Sequence, residues 1–175
     1  MLLRDFNLVV TTYRGNEEEA CSELWYLLGQ VGDATPIIER TNVSGLIVAK
    51  TSLNPFEVIE RFRRILQERP YEFRYLLRVI PIERVVRTDI DEISRVAHEF
   101  ENRIGENETF RVTVEKRFTE TSTRSIIEAI ASKINRKVDL EKPDKIVLVE
   151  VIGGLTGMSL IKPEDVLSVT KEKAL

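Results

Sequence analysis

The chain has 175 residues, 42% of them hydrophobic and 31% charged, with a formal net charge of −3 at pH 7, which predicts one large or two small packed domains with a strongly charged surface. One cysteine, Cys21, and one histidine, His98, exclude a disulfide framework and argue against a Cys/His zinc site. No apolar run is long enough to span a bilayer and the first residues are not a secretory signal, so we expect a cytoplasmic protein.

The first half alternates strands and helices in the order βαββαβ. Ala20, Leu24 and Leu28 recur at helical spacing, and Asn54 and Pro55 begin a second helix as its cap and its first residue. This order is typical of a ferredoxin-like domain, in which helices cover one face of an antiparallel sheet. The expected strands are residues 6–13, 36–40, 45–50 and 73–82.

The second half predicts another mixture of helices and strands. Residues 110–117 alternate apolar and polar side chains, as a strand with one buried face does. Gly153 and Gly154 supply a turn between two strands. The other expected elements are a helix that ends at Gly105, a helix from about Thr123 to Val138, a buried strand at residues 146–152 and a short strand at residues 158–161.

These elements define an α+β fold class with two domains. The ferredoxin-like domain is predicted at residues 1–82, and a second, α/β domain at residues 83–175. The junction between them is expected at residues 81–87, which leave little slack between the two halves.

No pattern in the sequence predicts catalysis, a metal site or a cofactor. His98 lacks a paired cysteine or serine signature and Cys21 lies beside an apolar stripe, so a surface histidine and a core cysteine are the simpler interpretations. Gly153, Gly154 and Gly157 lead into a strand instead of a helix, so they lack the context of a phosphate-binding loop. The acidic residues show no metal-ligand spacing. We therefore expect that the protein is not an enzyme and holds no metal or cofactor.

Two segments are locally basic, although the negative net charge argues mildly against a nucleic-acid ligand. Residues 61–78 and residues 116–137 each hold six basic residues and two glutamates, and hence each carries a net charge of +4. Local patches of charge decide where a polyanion docks. The simpler alternative is that both segments are ordinary solvated faces.

The basic residues at the end of strand 110–117 stand where a phosphate can bind. Lys116 and Arg117 project into a loop that leads to the next helix, whose first backbone N–H groups and positive dipole end can receive an anion. Ser122 or Thr123 is the expected cap of this helix. Arg124 lies in the first turn, where a cation opposes the dipole unless a phosphate lies between them.

Each of these features also has a purely structural interpretation. The hydroxyl groups can serve only as helix caps, and Arg124 can pair with Glu120 or Glu128. Phe118, the aromatic residue beside the loop, can stack an unpaired base, or it can belong to the core or the sheet edge.

Three more basic residues lie near the end of the predicted helix 123–138. Lys133 and Lys137 are four positions apart and share one flank of the helix, and Arg136 lies one position around it. They can contact RNA, or they can stabilise the negative end of the helix dipole without any ligand.

The segment from Arg111 to Leu160 resembles the THUMP domain as it occurs in the tRNA cytidine acetylation adaptors. Residues 7–12 and 17–20 fit the ferredoxin-like domain that precedes THUMP in the archaeal-type, two-domain version. The matching features of the segment are the strand that ends in Lys116 and Arg117, the hydroxyl-rich turn at residues 119–125, the helix that follows, Val138-Asp139-Leu140, Pro143-Asp144, and a strand that leads into a glycine turn.

The resemblance implies a function in tRNA modification. It implies that the THUMP domain holds the acceptor stem and the single-stranded 3′ end of tRNA, while the ferredoxin-like domain adds backbone contacts. It also implies a non-catalytic adaptor that positions tRNA for acetylcytidine formation by a separate RNA acetyltransferase, and the chain is expected to have no room for a catalytic domain. Carried over to this sequence, the RNA-binding residues are Lys116, Arg117, Arg124, Lys133, Arg136 and Lys137.

Two other functions stay open. The chain can be the RNA-binding subunit of another tRNA modification enzyme, or it can be a ferredoxin-like domain that regulates another protein or binds a small molecule. Binding to tRNA is expected of the adaptor and of the RNA-binding subunit, but not of the regulatory or small-molecule-binding domain.

Overall fold

The computed structural model describes residues 3–174, which form two compact units. The first unit consists of residues 3–82 together with residues 164–174, and the second unit is Glu83–Pro163. Each unit combines helices with one sheet, so the predicted α+β class is confirmed.

Across residues 3–174 the chain forms ten strands and five α-helices. In chain order they are β1 (Leu8–Thr12), α1 (Glu17–Gln30), β2 (Ile37–Arg40), β3 (Leu46–Lys50), α2 (Pro55–Glu68), β4 (Leu76–Pro81), β5 (Arg84–Arg87), α3 (Ile90–Glu101), β6 (Thr109–Arg117), α4 (Thr123–Ala131), β7 (Lys137–Val138), β8 (Lys145–Ile152), β9 (Leu155–Ile161), β10 (Leu167–Ser168) and α5 (Val169–Lys173). Single turns of 3-10 helix lie at Pro70–Glu72 and Pro163–Asp165.

The first unit is built on an antiparallel sheet in the order β10-β4-β1-β3-β2. Its elements up to β4 follow the predicted βαββαβ order. Successive side chains of a strand point to opposite faces, so Leu8 and Val10 of β1 share one face, where they pack in a core with Leu24 of α1 and Phe62 of α2. Helix α2 begins as predicted, because the Asn54 side chain accepts a hydrogen bond from the Phe56 N–H group at 2.9 Å.

A buried carboxylate, Asp33, fixes the loops next to this core. It accepts hydrogen bonds from the Thr51 hydroxyl at 2.6 Å and from the N–H groups of Ser52 and Thr35, both at 3.1 Å. Burial by itself raises the pKa of Asp33, but these hydrogen bonds outweigh the burial and hold the pKa below its usual range. The carboxylate therefore stays charged inside the unit.

The second unit contains a sheet in the order β5-β9-β8-β6-β7, with α3 and α4 on one face. Strands β6 and β8 pair in parallel over their whole common length, from Phe110 opposite Lys145 to Arg117 opposite Ile152. A parallel pair needs a crossover connection, and the segment that contains α4 supplies it. Strands β8 and β9 form an antiparallel hairpin around the predicted glycine turn.

The C-terminal segment differs from the prediction, which placed everything from residue 83 to residue 175 in the second domain. In the structure, β10 pairs with β4 of the first unit, with Leu167 opposite Val79. Leu167 and Val169 are buried in the core of the first unit, and Arg63 donates a hydrogen bond to the carbonyl of Glu164 at 2.7 Å. Pairing between residues so distant along the chain leaves no local signal in the sequence.

The prediction for α4 was wrong at its C-terminal end, because the helix stops at Ala131 and not near Val138. The apolar periodicity misled the prediction: Ile134 is buried in the same core as Ile126 and Ile130, although it lies beyond the helix. Residues 137–138 form β7 instead, which pairs in parallel with the start of β6.

The predicted junction at residues 81–87 also contains structure. Residues Arg84–Arg87 form β5, which pairs with β9, so that Val86 lies opposite Thr156. The segment consists of two valines between two arginines. It pairs with the sheet, but so short an apolar run does not predict a strand.

We predict that Leu167→Ala destabilises the first unit by about 2–4 kcal/mol, because it opens a cavity in a packed core. The control Tyr71→Ala removes an exposed side chain of the same unit and should alter the free energy of unfolding by less than about 0.5 kcal/mol. Trp25, the one tryptophan of the chain, lies on α1, so its fluorescence in a urea titration reports the unfolding of this unit. Equal effects of the two changes would contradict the docking of residues 164–174.

Candidate nucleic-acid interface

The end of the second unit where β6 and β8 both finish collects most of the features predicted to bind an anion. Because the two strands are parallel, the loop after Arg117 and the turn at Gly153 lie at the same edge of the sheet, and the Gly153 N–H group donates to the Arg117 carbonyl at 2.8 Å. Helix α4 also begins here, with Ser122 as its cap. We call this end, defined by Lys116 to Arg124 and the turn at residues 153–154, the carboxyl edge.

Lys116 is exposed at the carboxyl edge and helps to shape its loop. Its ammonium group donates to the Thr121 carbonyl at 3.3 Å, and the Thr121 N–H group donates to the Thr119 hydroxyl at 3.2 Å. An ammonium group has three donors, so Lys116 can hold the loop and still bind a phosphate.

The N-terminus of α4 is suited to an anion. Ser122 is the cap, and its hydroxyl accepts from the Ser125 N–H group at 3.0 Å. Helices α1, α2 and α3 all carry carboxylates in their first turns, whereas α4 carries none. Of the helices with at least eight residues in the part of the chain that the structure describes, α4 alone has no carboxylate in its first turn beside the positive end of its dipole.

Arg124 forms an ion pair with Glu128, one of the two partners that its position in the sequence allows. Its Nε atom lies 2.8 Å from a carboxylate oxygen of Glu128, one helical turn away. The Arg124 side chain is 88% exposed, and an exposed pair of this kind contributes little to stability. Arg124 can therefore leave Glu128 for a phosphate at small cost.

Arg117 does not project into solvent as predicted. Its side chain is only 19% exposed, and its guanidinium group lies 3.6 Å from the carboxylate of Glu150, which is fully buried on β8. The strand alternation correctly put Arg117 on the face opposite Val112 and Val114, but this face is not open to solvent at Arg117. Its charge balances a buried carboxylate, so it is less available to RNA than Lys116.

Phe118 follows Arg117 and is 72% exposed, which excludes the core, one of the alternatives that its sequence left open. Its φ angle is +57°, in the left-handed region that side chains rarely adopt. For a non-glycine residue this conformation costs of the order of 1 kcal/mol. The chain thus holds an aromatic ring in solvent, between Lys116 and the start of α4.

The other three predicted residues lie at the opposite end of the unit. Lys137 on β7 pairs with Thr109, the first residue of β6, whereas Arg117 is the last. The nine residues of β6 span about 26 Å at roughly 3.3 Å per residue, so the six predicted residues form two separate groups. Lys133 follows α4 in a turn, and is exposed like Lys137.

Arg136 has a structural role at this opposite end. Its guanidinium group donates to the carbonyls of Ile104 at 2.9 Å, Gly105 at 3.1 Å, Asn135 at 2.8 Å and Glu101 at 3.3 Å. These carbonyls belong to the end of α3 and the turns beside it, where the helix leaves acceptors unpaired. Its donors are therefore occupied within the protein.

A carboxylate near Lys137 makes the group of Lys133, Arg136 and Lys137 a still weaker site for an anion. Asp139 accepts hydrogen bonds from the N–H groups of Lys142 and Glu141, both at 3.0 Å. These bonds, that of Lys142 first, lower the pKa of Asp139, so the group remains negative.

Arg87 is a basic residue beside the carboxyl edge that the sequence analysis missed. It ends β5 opposite Leu155, beside the glycine turn, and its exposed side chain pairs with Glu92 at 3.1 Å. It escaped notice because residues 81–87 were interpreted as a junction.

His98 and Cys21 are the two side chains that the sequence analysis weighed for catalysis. His98 is exposed on α3, and Cys21 packs against the core of the first unit. Within residues 3–174 no three His, Cys, Asp or Glu side chains are grouped closely enough to hold a metal ion. None of the helices in this range has the length and apolar character needed to cross a membrane.

Residues 87–161 match the family profile of the THUMP domain. The second unit therefore contains the THUMP domain that its sequence indicated.

Known proteins are similar to this chain over most of its length. The uncharacterized protein MJ0421 of Methanocaldococcus jannaschii is 31% identical over 170 residues, which cover 94% of this chain and 43% of that protein. The crystal structure of PH1313 from Pyrococcus horikoshii superposes with a TM-score of 0.65 and 18% identity, over 90% of this chain and 55% of that one. A 4-thiouridine synthetase, solved as an RNA complex with bound ATP, has a TM-score of 0.51 and 17% identity, over 90% of this chain and 42% of that one. The chain thus spans about half, or less, of the length of these three proteins.

We predict that Arg117→Glu lowers the free energy of unfolding by about 3 kcal/mol, because it replaces the partner of a buried carboxylate with a second negative charge. Lys116→Glu, the same change of charge at an exposed neighbour, should change it by less than about 0.5 kcal/mol. Adding Glu150→Gln to Arg117→Glu removes the repulsion and should restore part of the loss. Chemical denaturation of the three variants checks this, and equal stabilities of Arg117→Glu and Lys116→Glu would refute the pairing with Glu150.

Proposed function

We propose that this protein binds tRNA through the carboxyl edge of its THUMP domain and acts as a non-catalytic adaptor, which positions tRNA for acetylcytidine formation by a separate RNA acetyltransferase. The observation that carries the proposal is the THUMP domain at residues 87–161. The 4-thiouridine synthetase of similar fold was solved with RNA, which supports RNA as the ligand. The acetylation role rests on the resemblance of residues 111–160 to the acetylation adaptors.

The carboxyl edge offers three kinds of contact to the acceptor stem and 3′ end of tRNA. The free N–H groups at the start of α4 receive a phosphate, with the helix dipole behind them. Lys116 and Arg124 neutralise phosphates on either side of the loop, after Arg124 releases Glu128. The exposed ring of Phe118 stacks on an unpaired base.

Lys133 and Lys137, at the other end of β6, lie too far away to join this site, and they contact RNA only if a stem lies along the unit. Arg117 acts mainly through Glu150, and Arg136 through the end of α3. We therefore narrow the six residues predicted from the sequence to Lys116 and Arg124, with Phe118 and the α4 N-terminus added.

The adaptor contributes orientation instead of chemistry. A tRNA held at its acceptor stem presents its distant cytidine to the active site of the acetyltransferase in a defined position, and orientation alone can supply a large part of a rate enhancement. The acetyl group comes from acetyl-CoA, and the acetyltransferase transfers it to the cytidine.

A second candidate function is that of the RNA-binding part of another tRNA modification enzyme. The observation that favours it is the length of the similar proteins, of which the chain covers 42–55%. In this case the same edge binds the same part of tRNA, but the modification differs.

We expect binding to tRNA to weaken steeply with salt, by about 0.7 to 0.9 in the log–log slope for each phosphate neutralised. The variant Lys116→Glu/Arg124→Glu should bind more than about tenfold more weakly and show a shallower slope, because two phosphates lose their cations. Fluorescence anisotropy with labelled bulk tRNA, with and without the CCA end, measures both.

The matched control is Lys133→Glu/Lys137→Glu, which makes the same charge change at the far end of the unit and should have a smaller effect. Equal losses from the two double variants would remove the carboxyl edge as the main site. If the wild type fails to bind tRNA at low salt, the proposed function is wrong.

We also expect the protein to raise acetylcytidine formation when it is mixed with the RNA acetyltransferase, acetyl-CoA, ATP and tRNA, and to form none by itself. Lys116→Glu/Arg124→Glu should lose most of the stimulation, because the tRNA is no longer positioned. Mass spectrometry of tRNA nucleosides gives the yield. A full rate without the protein, or modification by the protein alone, would contradict the adaptor function.

A further inference from the structure

The arginine-rich segment 61–78 of the first unit is not one basic surface, because half of its arginines hold the fold together. Arg61 donates to the carbonyl of Val31 at the end of α1 at 2.7 Å. Arg63 binds the C-terminal segment, and Arg69 pairs with Glu72 at 3.1 Å. The remaining arginines, Arg64, Arg74 and Arg78, lie on different elements.

Arg74 lies in a segment whose backbone is fixed from inside. The carboxylate of Glu23 on α1 accepts hydrogen bonds from three consecutive N–H groups, those of Arg74 at 2.8 Å, Tyr75 at 3.0 Å and Leu76 at 2.8 Å. Phe73, just before them, is buried edge-on against the ring of Phe62, with the centroids 6.1 Å apart. The side chain of Arg74 is exposed on this rigid support.

A second loop is fixed beside the first in the same way. The Thr12 hydroxyl donates to the Tyr75 carbonyl at 2.7 Å, which joins the end of β1 to this segment. The next residues turn sharply, with Gly15 at a φ of +92°, and the Glu17 carboxylate accepts from the Gly15 N–H group at 2.8 Å. Hydrogen bonds from its own N–H group and from that of Gly15 lower the pKa of Glu17, so this carboxylate stays charged. Tyr13, at the start of the turn, is 50% exposed.

The two loops together place two guanidinium groups and two tyrosine rings at the surface, of which the Tyr13 ring is exposed and the Tyr75 ring is partly buried against the core. We call Tyr13, Arg14, Arg74 and Tyr75 the tyrosine–arginine surface. The guanidinium carbon of Arg74 lies 5.7 Å from the centroid of the Tyr75 ring, a cation–π distance. Among residues 3–174, neither Arg14 nor Arg74 has a carboxylate partner within ion-pair distance. The nearby carboxylates of Glu17 and Glu23 are turned to backbone N–H groups instead.

We propose that the tyrosine–arginine surface binds an unpaired nucleotide of RNA, with its base stacked on a tyrosine ring and its phosphate held by an arginine. The proposal rests on the proposed function, which makes RNA the ligand of this chain. Rings on a fixed backbone stack on a base with little loss of conformational entropy, and any base has a face to offer. An acidic peptide needs the arginines but not the rings, so the combination favours RNA.

The test compares two double variants of the full chain that carry the same substitutions. Tyr13→Ala/Arg74→Gln changes the surface, and Tyr71→Ala/Arg64→Gln changes an exposed tyrosine and an exposed arginine elsewhere on the first unit. Binding is measured by anisotropy to bulk tRNA, to a single-stranded RNA and to a blunt RNA duplex with the same number of phosphates. Thermal unfolding confirms that each variant is folded.

We expect Tyr13→Ala/Arg74→Gln to weaken binding to tRNA and to the single strand by about 5- to 150-fold, the range expected for the loss of one stacked base. Its binding to the duplex should change by less than about twofold, and the control variant should match the wild type on all three. The single variant Tyr13→Phe should keep the affinity, because stacking needs the ring and not the hydroxyl.

Three results overturn the proposal. The first is an equal loss of affinity in the two double variants. The second is an equal loss of affinity of Tyr13→Ala/Arg74→Gln for the single strand and for the duplex. The third is displacement of the single strand by poly-glutamate, which assigns the surface to acidic chains. If the wild type binds tRNA and Lys116→Glu/Arg124→Glu weakens it while Tyr13→Ala/Arg74→Gln does not, only this inference fails. If the wild type binds none of the RNAs, the proposed function fails as well.

Discussion

The parallel pairing of β6 with β8 is the constraint on which the candidate RNA site depends. Parallel neighbours cannot be joined by a tight turn, so the chain must cross back over the sheet between them, and α4 lies on that crossover. The loop before α4, the helix N-terminus and the turn after β8 are therefore forced to one edge. The exposed ring of Phe118 in that loop, and the cations Lys116 and Arg124 on either side of it, therefore lie close to the free backbone N–H groups of the helix.

An acidic protein can offer anion sites when its carboxylates are occupied, and several carboxylates here bind backbone N–H groups. Glu17 and Glu23 hold two loops, and Asp33 lies buried among three donors. Glu108 accepts from the Gly105 N–H group, which with Lys145 keeps the pKa of Glu108 low. Net charge counts these groups as free negative charges, although they support the loops from which basic residues project. The formal charge of −3 is thus a poor guide to the local field.

Local signals in the sequence predicted the parts of the fold that are decided locally. The alternation along β6, the cap at Ser122, the glycine turn and the βαββαβ order all depend on residues close together in the chain. The sequence could not reveal that Arg117 faces a buried glutamate or that Arg136 binds the end of α3, because both partners are about thirty residues away. The same limit explains why α4 was predicted too long, since Ile134 keeps the helical spacing but is buried by tertiary packing.

The pairing of β10 with β4 makes the first unit discontinuous, with the whole THUMP domain between its two parts. During synthesis, β4 leaves the ribosome long before its partner, and its outer edge stays unpaired while about eighty residues are added. The second unit is one continuous stretch and can fold as soon as it emerges. The first unit therefore begins earlier in the sequence than the second unit, but it is completed only after the second unit has been synthesised.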